Sequence, residues 1–373
     1  MRQPPDLLRR NQALDILRAI AVVLVLFRHA YVFSDPATPI SAFASVLRKG
    51  GWVGVDLFFV LSGFLIAQLL FREHRKYGRI SYRTFLIRRG FKIYPPYYAM
   101  AAVTAVVLAL STPYTSDEIV RWSWPWMLYL QDYVQTPLTL IWGHTWSLAV
   151  EEQFYLGLPL LLIALATIRK GRANPFTALP VIFLVIAAAC LVMRIANAGP
   201  WDGLVHLAPI HVRVDSLFAG VFISYLYHFH TERVVALVNR FRPALIGAGV
   251  LLLVPAFMFE LSQTPLMYSW GYTLFYAGSA FIALTAAVSV NVRTGLAART
   301  FSYVGSRSYS IYLWHLPIGW FLHEPVAHLK WVPLTWFLPL FITISIVFGI
   351  VVADVLELPV LRVRDRWFPS RSV

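Results

Sequence analysis

The stretch "LDILRAIAVVLVLFRHAYVF", residues 14–33, is apolar enough to cross a membrane yet carries Arg18 and His29, two groups that lipid rejects. At 1.5 Å per residue it extends about 30 Å, the thickness of the hydrocarbon layer. Arg18 and His29 are 11 positions apart. At about 100° per residue they share one helix face and lie about 16 Å apart along it. Such a face suits one side of a polar cavity that reaches both halves of the membrane. Arg28, about 100° away from His29, is expected to snorkel to the headgroups.

The rest of the chain has the same character. Of 373 residues, 58% are hydrophobic and 13% charged, and the mean hydropathy is +0.64. A soluble domain has about 45–50% apolar and about 25% charged residues, so this is a membrane protein. Ten spans are expected, at Leu14–Phe33, Trp52–Leu70, Ile93–Leu110, Thr145–Ala166, Leu179–Ile195, Pro209–His228, Pro243–Phe259, Tyr268–Val290, Phe301–Leu322 and Pro333–Val355. "RWSWPWMLYLQDY", residues 121–133, suits an interfacial or re-entrant segment better than a span. The basic start followed by an apolar run imitates a signal peptide. It lacks a small-residue cleavage site and reads as a retained first helix.

With the N-terminus inside, 24 of the 32 lysines and arginines fall on inner loops. Five fall on outer ones, namely Arg48, Lys49, Arg121, Arg194 and Lys330. Both termini are therefore expected in the cytoplasm. The net charge of +14 is explained by those inner loops, and no nucleic-acid partner is expected. The single cysteine, Cys190, excludes an internal disulfide and any CxxC pair, and packs within a helix. No HxxxH or HExxH spacing is present, so no metal is expected.

Depth then brings several charged groups together. His29, Asp56, Glu151, Glu152, Arg213, Asp215 and His315 fall in one layer of the outer half, from five different spans. Each would cost at least about 2–3 kcal/mol in lipid, so they are expected to face a common polar cavity. Glu151 and Glu152 are adjacent and cannot both point into it, so one serves the site and its neighbour pairs elsewhere. Arg213 and Asp215 read equally well as a buried ion pair, and His315 equally well as a bridge between helices. Gly54, Ser62 and Gly63 are small enough for close helix contact. Arg88, Arg89 and Lys92, before Pro95 and Pro96, form a basic cluster at the inner mouth of the third span. They would bind a phosphorylated ligand, or act as topogenic charge against anionic lipid.

Taken in order, several motifs resemble membrane acyltransferase family 3, the bacterial integral-membrane O-acyltransferases. They are Arg18-x10-His29, "GVDLFFVLSGFLI", "RRGFKIYP", "HTWSLAVEEQFYL", "RVDSLFAG" and "SYSIYLWHLP". The resemblance runs from about Leu14 through the last span. It implies an all-α polytopic fold, about ten helices around a polar central cavity, in the bacterial inner membrane. It implies transfer of an acyl group, usually acetyl, from cytosolic acyl-CoA to a hydroxyl. The acceptor would be a cell-surface or exported carbohydrate (polysaccharide, lipopolysaccharide or lipo-oligosaccharide) or a macrolide-like molecule. Acyl-CoA is a donor substrate, and no permanently bound cofactor is implied.

Under that resemblance His29 is the catalytic base or acyl carrier, with Glu151, or Asp56, orienting its imidazole. Arg18, Arg88, Arg89 and Lys92 hold the donor. Lys92 stands where the family's RxxR motif has a second arginine, keeping the charge but losing the bidentate fork. Trp146, Ser147, Arg213, Asp215, Tyr309 and His315 are assigned to substrate binding or structural support. The acyltransferase unit is expected over 1–358 and a short cytoplasmic tail over 359–373, without a fused SGNH-type domain. Membrane lipids are partners, and homo-oligomerisation stays open. A transporter or flippase for a glycolipid is the alternative, since intramembrane charges also mark permeation routes. The absence of internal repeats counts against it.

Overall fold

A computed structural model describes residues 11–30, 42–289, 295–328 and 334–370, with the backbone alone at 42, 324–328 and 334–336. Helices dominate, because an apolar chain in lipid must satisfy its backbone internally. The principal ones are α1 (Gln12–Ala30), α2 (Val53–Tyr77), α3 (Tyr82–Ser111), α4 (Trp146–Ile168), α5 (Leu179–Ala196), α6 (Val214–Phe229), α7 (Thr231–Met258), α8 (Tyr272–Val288), α9 (Leu296–Ser306), α10 (Ser308–His328), α11 (Leu334–Val352) and α12 (Leu358–Trp367). Residues 31–33 of the first expected span lie outside the described residues, as do Arg2, Arg9, Arg10, Val290, Arg293, Lys330, Pro333 and Arg371.

Among the described residues, seven helical segments are long and apolar enough to cross a membrane: Val53–Tyr77, Tyr82–Ser111, Thr139–Ile168, Leu179–Ala196, Thr231–Met258, Met267–Val288 and Phe337–Trp367. This is a multi-pass membrane protein. α6 is apolar but has only 16 residues. α1 carries Asp15, Arg18 and Arg28 within its 19 residues.

Two expected boundaries are corrected, and one charge is relocated. The third span does not begin at Ile93. Ser81 caps α3 by accepting from the Thr84 N–H, so the helix runs unbroken from Tyr82 for 30 residues. Pro95 and Pro96 therefore sit in its interior rather than its first turn, which removes the helical donors for the carbonyls of Phe91 and Lys92. The ninth span is two helices, α9 and α10, which break at Arg307. The fifth span falls where expected, at Leu179–Ala196, but Arg194, counted among the outer-loop charges, lies buried in its last turn.

The core is built on α2, which packs most extensively on α6 and also on α1 and α8. Two glycines allow the α2–α6 crossing. A Cβ on Gly63 would stand 1.9 Å from the Leu217 carbonyl oxygen, and one on Gly220 would stand 2.2 Å from that of Val60. Gly54 performs the same task against Ala21 of α1. The aromatic segment after α3 does not span. It folds into the short helices Ser116–Trp122 and Trp124–Met127. Trp126 is buried edge-on against Trp142 and donates to its carbonyl (3.3 Å), while Trp124 and Tyr133 stay exposed.

Candidate active site

A cavity of about 190 Å³ opens between α1, α2, α3, α4, α9 and α10. Its walls follow from helical periodicity. Ser147, Glu151 and Tyr155, four residues apart, put one stripe of α4 into it, and Arg89, Lys92 and Ile93 do the same from α3. α1 contributes Arg18, α2 contributes Phe58, Phe59 and Ser62, and α10 contributes Tyr309 and Tyr312.

The lining of this cavity carries Arg18, Arg89 and Lys92 against one carboxylate, Glu151, and two of these cations are paired from outside the lining. Arg18 Nη1 donates to Asp15 Oδ1 (3.1 Å), and Lys92 pairs with Glu357. The Arg89 guanidinium lies over the Tyr155 ring at 5.3 Å. Ser62 hydrogen bonds to Tyr155, whose hydroxyl donates to Glu151 Oε2 (3.0 Å). Tyr309 donates to the Ile93 carbonyl (2.9 Å) within the proline-interrupted part of α3. Arg18 and Lys92 thus each have a carboxylate partner, and an anionic ligand at either would have to displace Asp15 or Glu357. Arg88 points elsewhere, donating to Asp365 (2.9 Å) and to the Phe368 carbonyl at the end of α12. Arg18, Arg89 and Lys92 come together, and Arg88 does not join them in the lining. The adjacent glutamates divide as their spacing requires: Glu152 accepts from Tyr94 (2.5 Å), away from Glu151.

Next to this cavity lies a group of three histidines. Tyr312 and Ser147, which line it, bond each other at 2.6 Å, and Tyr312 donates to the His144 carbonyl (2.7 Å). One turn along α10, His315 is fully buried, with Nδ1 2.5 Å from the Tyr312 carbonyl and Nε2 3.0 Å from His29 Nδ1. His29 Nδ1 also lies 3.1 Å from the Val25 carbonyl. The His315 ring centroid is 4.8 Å from that of His29 and 4.8 Å from that of His144. His144 Nε2 meets the Leu313 carbonyl at 3.0 Å. His29 itself is only half-buried.

The expectation that Glu151 or Asp56 orients the His29 imidazole is not met by these contacts. Glu151 is engaged by Tyr155. Asp56 is deeply buried and accepts from Arg213 Nη2 (2.9 Å) and Ser216 (3.0 Å). Nor do Arg213 and Asp215 pair with each other. Asp215 accepts from Arg194 Nη2 at 2.8 Å, so two buried ion pairs cross between α2, α5 and α6. The Arg213 guanidinium lies 3.7 Å over Tyr272 and 5.8 Å from Trp146, which meets Phe59 edge-on. Arg28 does not snorkel. It donates to Glu260 (2.9 Å) and stacks on Trp52.

His144 was missed by sequence reasoning. It sits at the mouth of "HTWSLAVEEQFYL", and its burial was the missing signal: a histidine ahead of an apolar span resembles a loop residue until the short helix Thr139–Trp142 and the turn Gly143–Thr145 draw it inside.

Among the described residues, His29 Nε2 has no hydrogen-bond partner. The chain matches the acyltransferase domain family Acyl_transf_3 over residues 11–358 and belongs to that family. It is similar to peptidoglycan O-acetyltransferase OatA of Listeria monocytogenes serovar 1/2a (strain ATCC BAA-679 / EGD-e), 27% identical over 82% of this chain and 49% of the relative. It is similar to O-acetyltransferase OatA of Staphylococcus aureus (strain NCTC 8325 / PS 47), 27% identical over 83% of this chain and 51% of the relative. A protein of Staphylococcus aureus (strain MSSA476), provisionally named an O-acetyltransferase, is 29% identical over 85% of this chain and 52% of its own length. The chain thus spans about half the length of the curated relatives it matches. No solved structure matches it.

Proposed function

We propose that the chain is an O-acyltransferase, in the first instance an O-acetyltransferase, of the bacterial inner membrane. It moves an acyl group from cytosolic acyl-CoA to a hydroxyl of a cell-surface or exported carbohydrate. The observation that carries this reading is the division of labour along α1. Arg18 lines a cationic cavity at one end, and His29 stands at the other with Nε2 free of hydrogen bonds among the described residues. The names of the O-acetyltransferase relatives support the chemistry. Family membership favours it over a transporter.

In this reading ten helices cross the membrane, counting the short α6, the charged α1 and the α9–α10 pair, with both termini cytoplasmic. Arg18, Arg89 and Lys92 hold the anionic donor by charge-assisted hydrogen bonds, with Arg18 and Lys92 exchanging their carboxylate partners for phosphate. His29 Nε2 takes the acceptor's hydroxyl proton as that oxygen attacks the thioester carbonyl. The C–S bond then breaks, and the CoA thiolate leaves as thiol with the proton from the imidazolium. The product is an O-acyl ester. A short-lived acyl-histidine would use the same nitrogen. Trp146, Arg213 and Asp56 hold the α2–α6 frame behind the site, while Ser147 and Tyr312 join the cavity to the histidines. Anionic lipid surrounds Arg88 and the arginines of α12.

Replacing His29 with Ala is expected to abolish ester-linked acetyl on the surface glycan, measured by mass spectrometry. Expression and acetyl-CoA binding should persist. Unchanged acetylation would overturn the mechanism. Comparison of glycan and lipid from strains with and without the gene identifies acyl group and acceptor together.

A further inference from the structure

Hydrogen bonding decides which nitrogen of His29 can act. A carbonyl oxygen only accepts, so the His315 nitrogen 2.5 Å from the Tyr312 carbonyl, Nδ1, must carry the proton. In a neutral ring this leaves His315 Nε2 as an acceptor. That acceptor lies 3.0 Å from His29 Nδ1, which also faces the Val25 carbonyl at 3.1 Å. Both neighbours of His29 Nδ1 are acceptors, so His29 Nδ1 carries its proton and shares it between them. Its Nε2 is then an unshared lone pair. The tautomers follow from the network rather than from observed hydrogens.

We propose that His315 is the positioning residue of the acyl-transfer base. By accepting from His29 Nδ1–H it fixes the tautomer and the plane of the ring, and so presents Nε2 to the acceptor hydroxyl. It takes the place that a carboxylate occupies in a serine-hydrolase triad, with a neutral acceptor instead of a charge. Three features favour this over a plain helix bridge. His315 is itself locked, by the Tyr312 carbonyl within its own helix and by His144 edge-on against its ring. His144 donates from Nε2 to Leu313, so its proton is turned away from His315. Moreover, Tyr312 lines the cavity, so the lock on His315 is continuous with the wall of the donor site. The proposal rests on His29 as the base, and its test has a readout independent of activity.

The full-length protein, purified in detergent with 15N-labelled histidine, is examined by long-range 15N–1H correlation, with His29→Gln assigning the His29 signals. His29 is expected as the Nδ1–H tautomer. His315→Leu removes the acceptor and should turn the His29 signals into a tautomer mixture. His315→Gln returns an acceptor oxygen near the position of Nε2 and should restore Nδ1–H. Ester-acetyl on the surface glycan should fall by about 10–100-fold in His315→Leu, on the scale of losing the hydrogen-bond partner that orients a metal-bound imidazole. It should recover by at least about tenfold in His315→Gln, on the same scale. An Nε2–H tautomer in the unmodified protein, or equal loss in the Leu and Gln variants, overturns the proposal. If His315→Leu does not fold, the tautomer of the unmodified protein decides by itself. Failure of the function reading is distinct: His29→Ala would then retain acetylation whatever tautomer is observed.

Discussion

A buried charge is retained where partners hold it, and the Arg213–Asp56 and Arg194–Asp215 pairs show how. Asp56, Asp215 and Arg213 are recognisable from sequence as intramembrane charges, which is the expensive part of the reading. Their pairing is not recognisable, because Arg194, the true partner of Asp215, sits at the very end of its span and reads as a charge at the membrane edge until α5 and α6 are seen to enclose it. Asp132 is the counter-example outside the apolar segments. It is fully buried, and only one oxygen has a partner, accepting from Gln153 Nε2 at 2.9 Å. Burial outweighs that hydrogen bond and pushes its carboxyl up from the ordinary 3.8 to about 6. The folded state thus prefers the protonated form. Its stabilising contribution is complete below about pH 3.8 and is lost as pH rises through about 6. Asp132→Asn should therefore raise the Tm in detergent at pH 7.5 by roughly 1–3 °C. It should also flatten the part of the stability–pH curve between the two values. An Asn variant with the same slope as the parent protein would show that Asp132 is ionised at no cost.

Among elements, the α2–α6 crossing controls where the cavity sits, because α2 supplies one of its walls and Arg213, at the N-terminal cap of α6, anchors Asp56. The need for small residues in "GVDLFFVLSGFLI" is legible, and Gly54 and Gly63 behave as their size suggests. Ser62 is different, since it faces Tyr155 and the cavity rather than a helix contact. Gly63→Ala and Gly220→Ala should each destabilise by about 1–3 kcal/mol, since an added Cβ meets backbone oxygen rather than a flexible side chain. The double variant should lose less than the sum, because one widened crossing relieves both. Gly157→Ala, in α4 with open space around its Cβ, should gain about 0.5–1 kcal/mol instead. Thermal unfolding in one detergent compares all four. The start of α3 was the least legible boundary. Its first turns carry Arg83, Arg88, Arg89 and Lys92, a composition that resembles a loop, and only the cavity explains why two of these cations lie inside a helix bundle.

At the scale of the whole molecule, fold class and membrane character follow from composition and run length, while the sidedness of the reaction rests on the Lys/Arg bias. Geometry makes that bias consequential. Arg18 and His29 are held by one continuous helix, so a rise of about 16 Å separates the two positions, and in the proposed topology the proposed donor grip and the proposed base face opposite halves of the bilayer. If the N-terminus is inside, CoA phosphates meet Arg18, Arg89 and Lys92 from the cytosol, and the acceptor approaches His29 from outside. If the orientation were reversed, the cationic cavity would open where no acyl-CoA exists, and the proposed reaction would fail without any change in the site. Single-cysteine labelling in intact cells decides between them. In a Cys190→Ser background, Asp117→Cys lies on the exposed face of the short helix after α3, and Arg366→Cys lies exposed near the end of α12. A membrane-impermeant maleimide is expected to label position 117 in intact cells and position 366 only after permeabilisation. The opposite pattern would place the donor grip on the wrong side of the membrane. Labelling of both from outside would mean that an even number of crossings lies between positions 117 and 366, where the ten-span topology has seven, and that topology would have to be abandoned.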